Sequence, residues 1–379
     1  MTATRLLAKL EDFRLLPFFV VISMAIGIGI GKVLSISDFA LTPPIDAIKA
    51  IIGGTFVLTV PSAISLGVPI GLFAMMYPAM TNVRLGEVGD AFRSPRQLGV
   101  VLFFNYLVAP FVMLGLANIF VSDPELHTGL VLYGLAPCIA MVIIFTFLAK
   151  GNTPMALVFV ALNSVAQMIL IPVYARLLIG NVNFDVLVVF ESVVLYLGLP
   201  LLLGVLTRMA VTRRGGEEAM ERLKPGLSAL SILGLLFTLI VMFSLKGDLI
   251  LQRPGIVLEM AIPMTLFFSI MFFVVFFLGS RLHFPYRDAV AVAFNATGRD
   301  FEIAIAIAIT AFSPTVALAT VVGPLIEVPV MLALVWAAMR LSRRWFGEAA
   351  PKVGVGGVGS PDADRGLVPE SIAALSDSQ

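Results

Sequence analysis

Runs of about 20 mostly apolar residues, each long enough for a helix to cross the hydrocarbon core of a bilayer, follow one another along almost the whole of this 379-residue chain. Ten such windows stand out, at residues 15–30, 55–80, 98–121, 129–149, 155–179, 186–209, 227–245, 256–278, 289–312 and 316–339. Only 13% of residues are charged and 59% are apolar, against about 25% charged in an ordinary soluble domain. Such a chain cannot coat a water-facing globule. The fold class it implies is an all-α polytopic membrane protein of ten transmembrane helices. Basic residues precede the first window as in a signal peptide, but no small-residue cleavage site closes it, so it is read as a span. Residues 346–379 are rich in Gly, Pro, Ser and acids, and read as a disordered cytoplasmic tail.

Orientation follows from where positive charge sits. With the N-terminus inside, the cytoplasmic segments hold Arg5, Lys9, Arg14, Arg84, Arg93, Arg96, Lys150, Arg208, Arg213, Arg214, Arg222, Lys224, Arg281, Arg287, Arg340, Arg343, Arg344, Lys352 and Arg365. The outer segments hold Lys32, Lys49, Arg176, Lys246 and Arg253. An odd number of spans would invert half of that bias, so it supports ten spans in a plasma or inner membrane with both termini cytoplasmic. A basic segment at 210–225 splits the windows five and five. Because five precede it, the second five-helix unit is expected upside down relative to the first, the inverted-repeat plan of many secondary transporters. The expected organisation is thus 1–209 for the first repeat plus helix 6, 210–225 for a cytoplasmic loop, 226–345 for helices 7–10, and 346–379 for the tail. Binding is expected near the midplane, where the fourth helix of each half is broken. Window 4 carries Pro137 beside Cys138, and window 9 carries Gly298 within Asn-Ala-Thr-Gly-Arg-Asp.

Window 9 holds Arg299, Asp300 and Glu302 inside an apolar run. Each charge costs at least about 2.5 kcal/mol to insert, so the three need mutual pairing or a wet cavity. On a regular helix Arg299 and Glu302 share a face and Asp300 points elsewhere; unwinding after Gly298 would turn Asp300 to the same site. The alternative is an internal ion pair that only locks helix 9 to a neighbour. Window 10 adds Glu327, framed by Pro324 and Pro329, which loosen the helix around a lone carboxyl suited to a proton site, or to a neutral packing donor. Cys138, the single cysteine, excludes an internal disulfide and a multi-cysteine metal site. It is either a small buried hydrophobe or, beside Pro137, a substrate contact. Asn105, and Asn163 with Ser164 and Gln167, either line a cavity or hydrogen-bond helices together.

Several stretches carry a resemblance. Cys138-Ile-Ala-Met-Val142 followed by Leu148-Ala-Lys-Gly151, Ala161-Leu-Asn-Ser164, Leu236-Phe-Thr-Leu-Ile-Val-Met-Phe-Ser244, Phe301-Glu302 and Gly323-Pro-Leu-Ile-Glu-Val-Pro329 together resemble the arsenite permease family of the bile acid/sodium symporter superfamily, across nearly all ten helices. The resemblance implies proton-driven efflux of arsenite, with antimonite a further substrate, and ties transport to the residues matching Cys138 and Glu327. The chain departs from the family pattern in two places. Ala136-Pro137 and Phe145-Thr-Phe147 stand where relatives usually read Ala-Arg and Trp-Asn-Asp, and Arg299-Asp300 stands where they read Asn-Asn. A charge pair is thus missing from helix 4 and present in helix 9. A free Arg299 in a cavity would suit an anion, so an organic anion or organoarsenical is the alternative cargo, coupled to protons or sodium. Positions that hold sodium in the wider superfamily match Val142-Ile143 and Arg299-Asp300, which offer aliphatic chains and a positive charge; this favours proton over sodium coupling.

The expected site is therefore substrate binding by Cys138, Arg299, Asn105 and Asn163, and proton coupling by Glu327, Glu302 and Asp300. No metal, cofactor or nucleic-acid partner is expected. The partners are a small-molecule or metalloid substrate, protons and the lipid bilayer. An intramembrane protease is disfavoured, since that chemistry needs two aspartates sharing a proton and Asp300 is the one Asp well inside a window. His127 and His283 leave little for imidazole catalysis.

Overall fold

A computed structural model describes residues 16–33, 60–81, 94–139, 141–179, 186–252 and 255–347. Residues 15 and 55–59 of the first two windows, the tail from 348, and Arg5, Lys9, Arg14, Lys49, Arg84, Arg93, Arg253, Lys352 and Arg365 lie outside the described residues. Within them the chain is helical, with one isolated pair of bridged residues, Pro137 and Arg299.

The elements are α1 (Leu16–Val33), α2 (Val60–Thr81), α3 (Pro95–Leu102), a π turn (Phe103–Val108), α4 (Ala109–Phe120), α5 (Pro124–Leu135), α6 (Met141–Leu148), α7 (Thr153–Leu178) and α8 (Val186–Val193). A second π turn (Val194–Gly198) leads to α9 (Leu199–Gln252), α10 (Gly255–Arg281), α11 (Tyr286–Thr297), α12 (Phe301–Ala311), α13 (Pro314–Val321) and α14 (Gly323–Phe346). Among the described residues, five helical stretches are long and apolar enough to cross a membrane. Their outer faces keep Ile119, Ile169, Leu177, Leu258 and Trp336 more than half exposed, a surface that lipid covers and water would not tolerate. The chain is an integral membrane protein.

Both π turns run up to a proline at the second position of the next helix, Pro110 and Pro200. A proline has no N–H to donate and its ring clashes with the carbonyl one turn back; the wider turn takes up that mismatch. The long helix α9 also cannot be straight. Thr207 hydrogen-bonds Tyr77 at 2.8 Å, and Ser231 donates to the Met75 carbonyl at 3.0 Å, so residues 24 apart in sequence meet the same turn of α2. The chain reverses at Gly216, whose φ of 68° and ψ of −171° a side chain would resist, and Arg208 bonds Glu217 across the reversal at 3.1 Å. Segment 210–225, expected as a loop, thus continues two helical arms to the turn.

Two packed groups result. The arms of α9 lie against α1 and α2, closely enough that a Cβ on Gly234 would meet the Met75 amide nitrogen at 2.8 Å, the small-residue packing usual between helices in lipid. The second group contains α3 to α7 and α10 to α14. Its core is aromatic, with Phe267, Phe268, Phe272, Phe276 and Phe294 fully buried. At one end of the second group Asn152 takes its backbone partner from Arg287 and its side-chain partner from Asp288, while Trp345 and Phe346 pack on Phe276. Lys150, Arg281, Arg287, Arg343 and Arg344 therefore gather at that end. At the other, the amide of Ser122 donates to Glu259.

Candidate functional site

The fourth and ninth windows are each two short helices in line. Helices α5 and α6 have 12 and 8 residues, and α11 and α12 have 12 and 11, about 12–18 Å apiece, so neither half alone spans a bilayer. The first break falls where Pro137 denies Ala136 a helical conformation; Ala136 is extended at φ −100°, ψ 105°. The second falls at Gly298, extended at φ −61°, ψ 143°. The two breaks cross. The Cys138 amide donates to the Gly298 carbonyl at 3.0 Å, and the Asp300 amide donates to the Ala136 carbonyl at 2.8 Å. Backbone freed from one helix is thus satisfied by backbone freed from the other, as an apolar interior requires. A Cβ on Gly298 would lie 2.3 Å from Val142 Cγ1 and 3.1 Å from Cys138 Cβ, so this approach needs glycine.

The crossing collects four helix ends. Helices α5 and α11 finish there and present carbonyls, while α6 and α12 begin there and present amides. The side chains match those ends. Arg299 turns back to the carbonyl side: Nη2 donates to the Ala296 carbonyl at 2.5 Å and to Asn105 Oδ1 at 2.8 Å, Nε donates to the Thr297 carbonyl at 3.2 Å, and Nη1 approaches the Gly134 carbonyl at 3.5 Å. Its guanidinium also stands 5.3 Å from the Phe267 ring centroid, a favourable contact for a desolvated cation. Asp300 turns forward to the amide side and caps α12, its Oδ1 accepting from the Ile303 amide at 3.0 Å. The expected Arg299–Glu302 pairing on a regular helix is absent among the described residues, because the interruption at 298–300 rotates the two side chains to opposite helix ends.

Glu327 reaches the crossing from α14. The Tyr133 hydroxyl donates to its Oε2 at 2.7 Å, and the Arg299 backbone N–H faces the same carboxyl. The Asp300 and Glu302 carboxyls are hydrogen-bonding neighbours of one another, and Cys138 and Glu302 lie within electrostatic reach of Tyr133. The structure therefore brings Cys138, Arg299, Asp300, Glu302, Glu327 and Asn105 to one place. Asn105 arrives because it lies in the first π turn, and its Nδ2 donates to the Asn295 carbonyl at 3.1 Å. Asn163 sits beside this group on α7, accepting from the Tyr106 hydroxyl at 3.4 Å on Oδ1 and 3.3 Å on its carbonyl. Its Nδ2, both polar atoms of Gln167, and Asn295 Oδ1 are buried without a hydrogen-bond partner among the described residues. Every one of these groups is closed to solvent: Cys138 is 2% exposed, Glu327 1%, Glu302 7%, and Arg299, Asp300, Asn105 and Asn163 0%.

Tyr133 escaped the sequence reading. Its signal was a hydroxyl in an apolar helix one turn before the break, where it must find a partner. A separate cavity of about 300 Å³ lies away from the crossing, bounded by His127, Thr128 and Val131 of α5 and by Leu178 and Ile179.

Two interrupted helices crossing at mid-depth, with charge buried where they meet, define a membrane transporter. Residues 69–253 match the sodium bile acid symporter family. The chain is 34% identical over 346 residues to an arsenical-resistance protein Acr3 of Corynebacterium glutamicum, covering 87% of this chain and 90% of that one. It is 34% identical over 305 residues to an Acr3 of Alkaliphilus metalliredigens, covering 76% and 85%. An uncharacterized transporter of Synechocystis is 32% identical over 345 residues, covering 84% and 86%. The chain belongs to the Acr3 arsenical-resistance family, within the sodium bile acid symporter family.

Proposed function

We propose that the chain carries trivalent arsenite, and antimonite by the same chemistry, out of the cell across the inner (plasma) membrane in exchange for protons. The observation that carries this reading is the position of Cys138. It lies at the crossing, in electrostatic reach of the Tyr133–Glu327 pair, in a chain 34% identical to two arsenical-resistance proteins. Trivalent arsenic favours soft thiolate ligands; a single thiolate allows capture that reverses, where three would hold the metalloid too tightly to release.

In this reading Cys138 touches the substrate, and Asn163 offers its unpartnered Nδ2 to the substrate's hydroxyls. Glu327, backed by Glu302 and Asp300, exchanges the coupling proton. Arg299 and Asn105 hold the crossing in shape. The organic-anion alternative needs a guanidinium free to meet a carboxylate, and the hydrogen bonds of Arg299 go to neutral oxygens. Sodium coupling gains nothing from Val142, whose Cγ1 faces Gly298. Because the site is closed to solvent, substrate enters only when helices around the crossing part.

The proposed topology is ten spans in two inverted five-helix repeats, 1–209 holding the first repeat and helix 6, 226–345 holding helices 7–10, and both termini cytoplasmic. Breaks in matching helices support the repeats, and the gathering of Lys150, Arg281, Arg287, Arg343 and Arg344 at one end supports the orientation. Two measurements test the reading. Cys138→Ala and Glu327→Gln are each expected to abolish arsenite resistance in a sensitive host while the protein stays in the membrane; normal resistance from both would overturn the metalloid reading. Uptake of arsenite and antimonite into everted vesicles is expected to fall when the proton gradient is collapsed and to persist when the sodium gradient is; the reverse would overturn proton coupling.

A further inference from the structure

Arg299 is buried in an unusual way. Its side chain has no exposure and, among the described residues, no carboxylate within ion-pair distance. A guanidinium taken out of water normally needs an anion beside it. Here its partners are four neutral oxygens: Asn105 Oδ1 from the first π turn, the Gly134 carbonyl at the end of α5, and the Ala296 and Thr297 carbonyls at the end of α11. Two helix C-termini thus converge on it, and each carries roughly half a negative charge. Neutral carbonyl and amide oxygens drawn from unwound backbone and half-helix C-termini are also what holds a small hard cation such as sodium inside a membrane transporter. The Asn105 amide is braced for this role by its own bond to the Asn295 carbonyl.

We infer that Arg299 is a tethered cation, its guanidinium filling an oxygen cage that would otherwise take a monovalent metal ion, so that the protein holds the crossing together without sodium. The cage is made by the fold rather than by the arginine. Asn105 and the carbonyls of Gly134, Ala296 and Thr297 stay in place when the side chain is shortened, and they then face a polar void that one sodium ion with water can fill. Within the carrier reading, Arg299 fixes coupling specificity by occupying the place a second driving ion would take. The inference rests on that reading for its meaning in transport and not for its test.

The test uses the full-length protein purified in detergent, with thermal unfolding followed in sodium chloride and in choline chloride of equal ionic strength. Wild type and Arg299→Lys are expected to unfold at the same temperature in both salts. Arg299→Ala is expected to unfold earlier in choline chloride and to regain several degrees with a saturable dependence on sodium chloride, as a ligand bound only by the folded state requires. Low-millimolar guanidinium chloride is expected to rescue Arg299→Ala in choline chloride. A wild type that sodium stabilises over choline would overturn the inference, as would a monodisperse Arg299→Ala that responds to neither sodium nor guanidinium. If Arg299→Ala cannot be recovered from membranes in choline chloride, recovery in sodium chloride supports the cage and recovery in neither salt overturns it. No arsenite enters these measurements, so failure of the metalloid reading leaves their outcome intact.

Discussion

Replacing Gly298 by alanine tests whether the crossing of the two broken helices holds the site together. The added Cβ would fall 2.3 Å from Val142 Cγ1 and 3.1 Å from Cys138 Cβ. The first distance is more than 1 Å short of the roughly 3.5–4.0 Å at which carbon atoms pack. Either Val142 yields or the breaks separate. Overpacking of this kind costs about 1–3 kcal/mol. Separation would also stretch the Cys138–Gly298 and Asp300–Ala136 backbone bonds, each contributing about 0.5–1.5 kcal/mol and more when its groups are left buried and unmet. A loss near 3 kcal/mol is expected, a fall of roughly 5–10 °C in apparent melting temperature. The check is a double-mutant cycle with Val142→Ala, which removes the atom in the way. In detergent, Gly298→Ala should melt early, Val142→Ala should lose no more than a buried Val→Ala truncation does, and the double variant should recover at least half of the glycine penalty as a favourable coupling. Arsenite uptake in vesicles should follow the same order. Wild-type stability in Gly298→Ala, or additive effects in the double variant, would refute the idea that the two breaks meet at Val142 and Gly298.

Tyr133→Phe removes the hydroxyl that donates to Glu327 at 2.7 Å. A hydrogen bond to a charged group contributes about 1.5–3 kcal/mol, so arsenite efflux is expected to fall roughly 10- to 100-fold at unchanged membrane levels; unaltered efflux would remove Tyr133 from the site. Asp300 separates capping from proton exchange. Asp300→Asn keeps an acceptor for the Ile303 amide and should melt like wild type, whereas Asp300→Ala should lose about 1 kcal/mol; transport lost in Asp300→Asn at full stability marks a role for the charge, and equal stability of both variants counts against the cap.

The residues of interest were legible because lipid makes them expensive. Arg299, Asp300, Glu302 and Glu327 stood out against apolar runs, and Pro137 and Gly298 marked the breaks, since neither a missing N–H nor a missing Cβ is tolerated without cause inside a span. What each residue does with its charge was not legible. Sequence spacing paired Arg299 with Glu302 on a continuous helix. The fold interrupts that helix three residues earlier, so Arg299 faces the carbonyl ends of α5 and α11 while Asp300 caps α12. Asn105 and Tyr133, 194 positions from Arg299 and Glu327 respectively, had no local signal of partnership. The segment 210–225 read as a loop by its charge, yet its good helix formers carry both arms of α9 to Gly216.

By itself the sequence determined that this chain lives in a membrane, where its helices run, where two of them break and which ionisable groups the bilayer would otherwise exclude. These follow from local composition and from the cost of burying charge, both of which are properties of short stretches. The tertiary structure alone decided that the breaks cross, that their backbones complete one another, and that a buried arginine is held by neutral oxygens. Those outcomes depend on which helix ends converge, and convergence is set by packing between segments far apart in the chain.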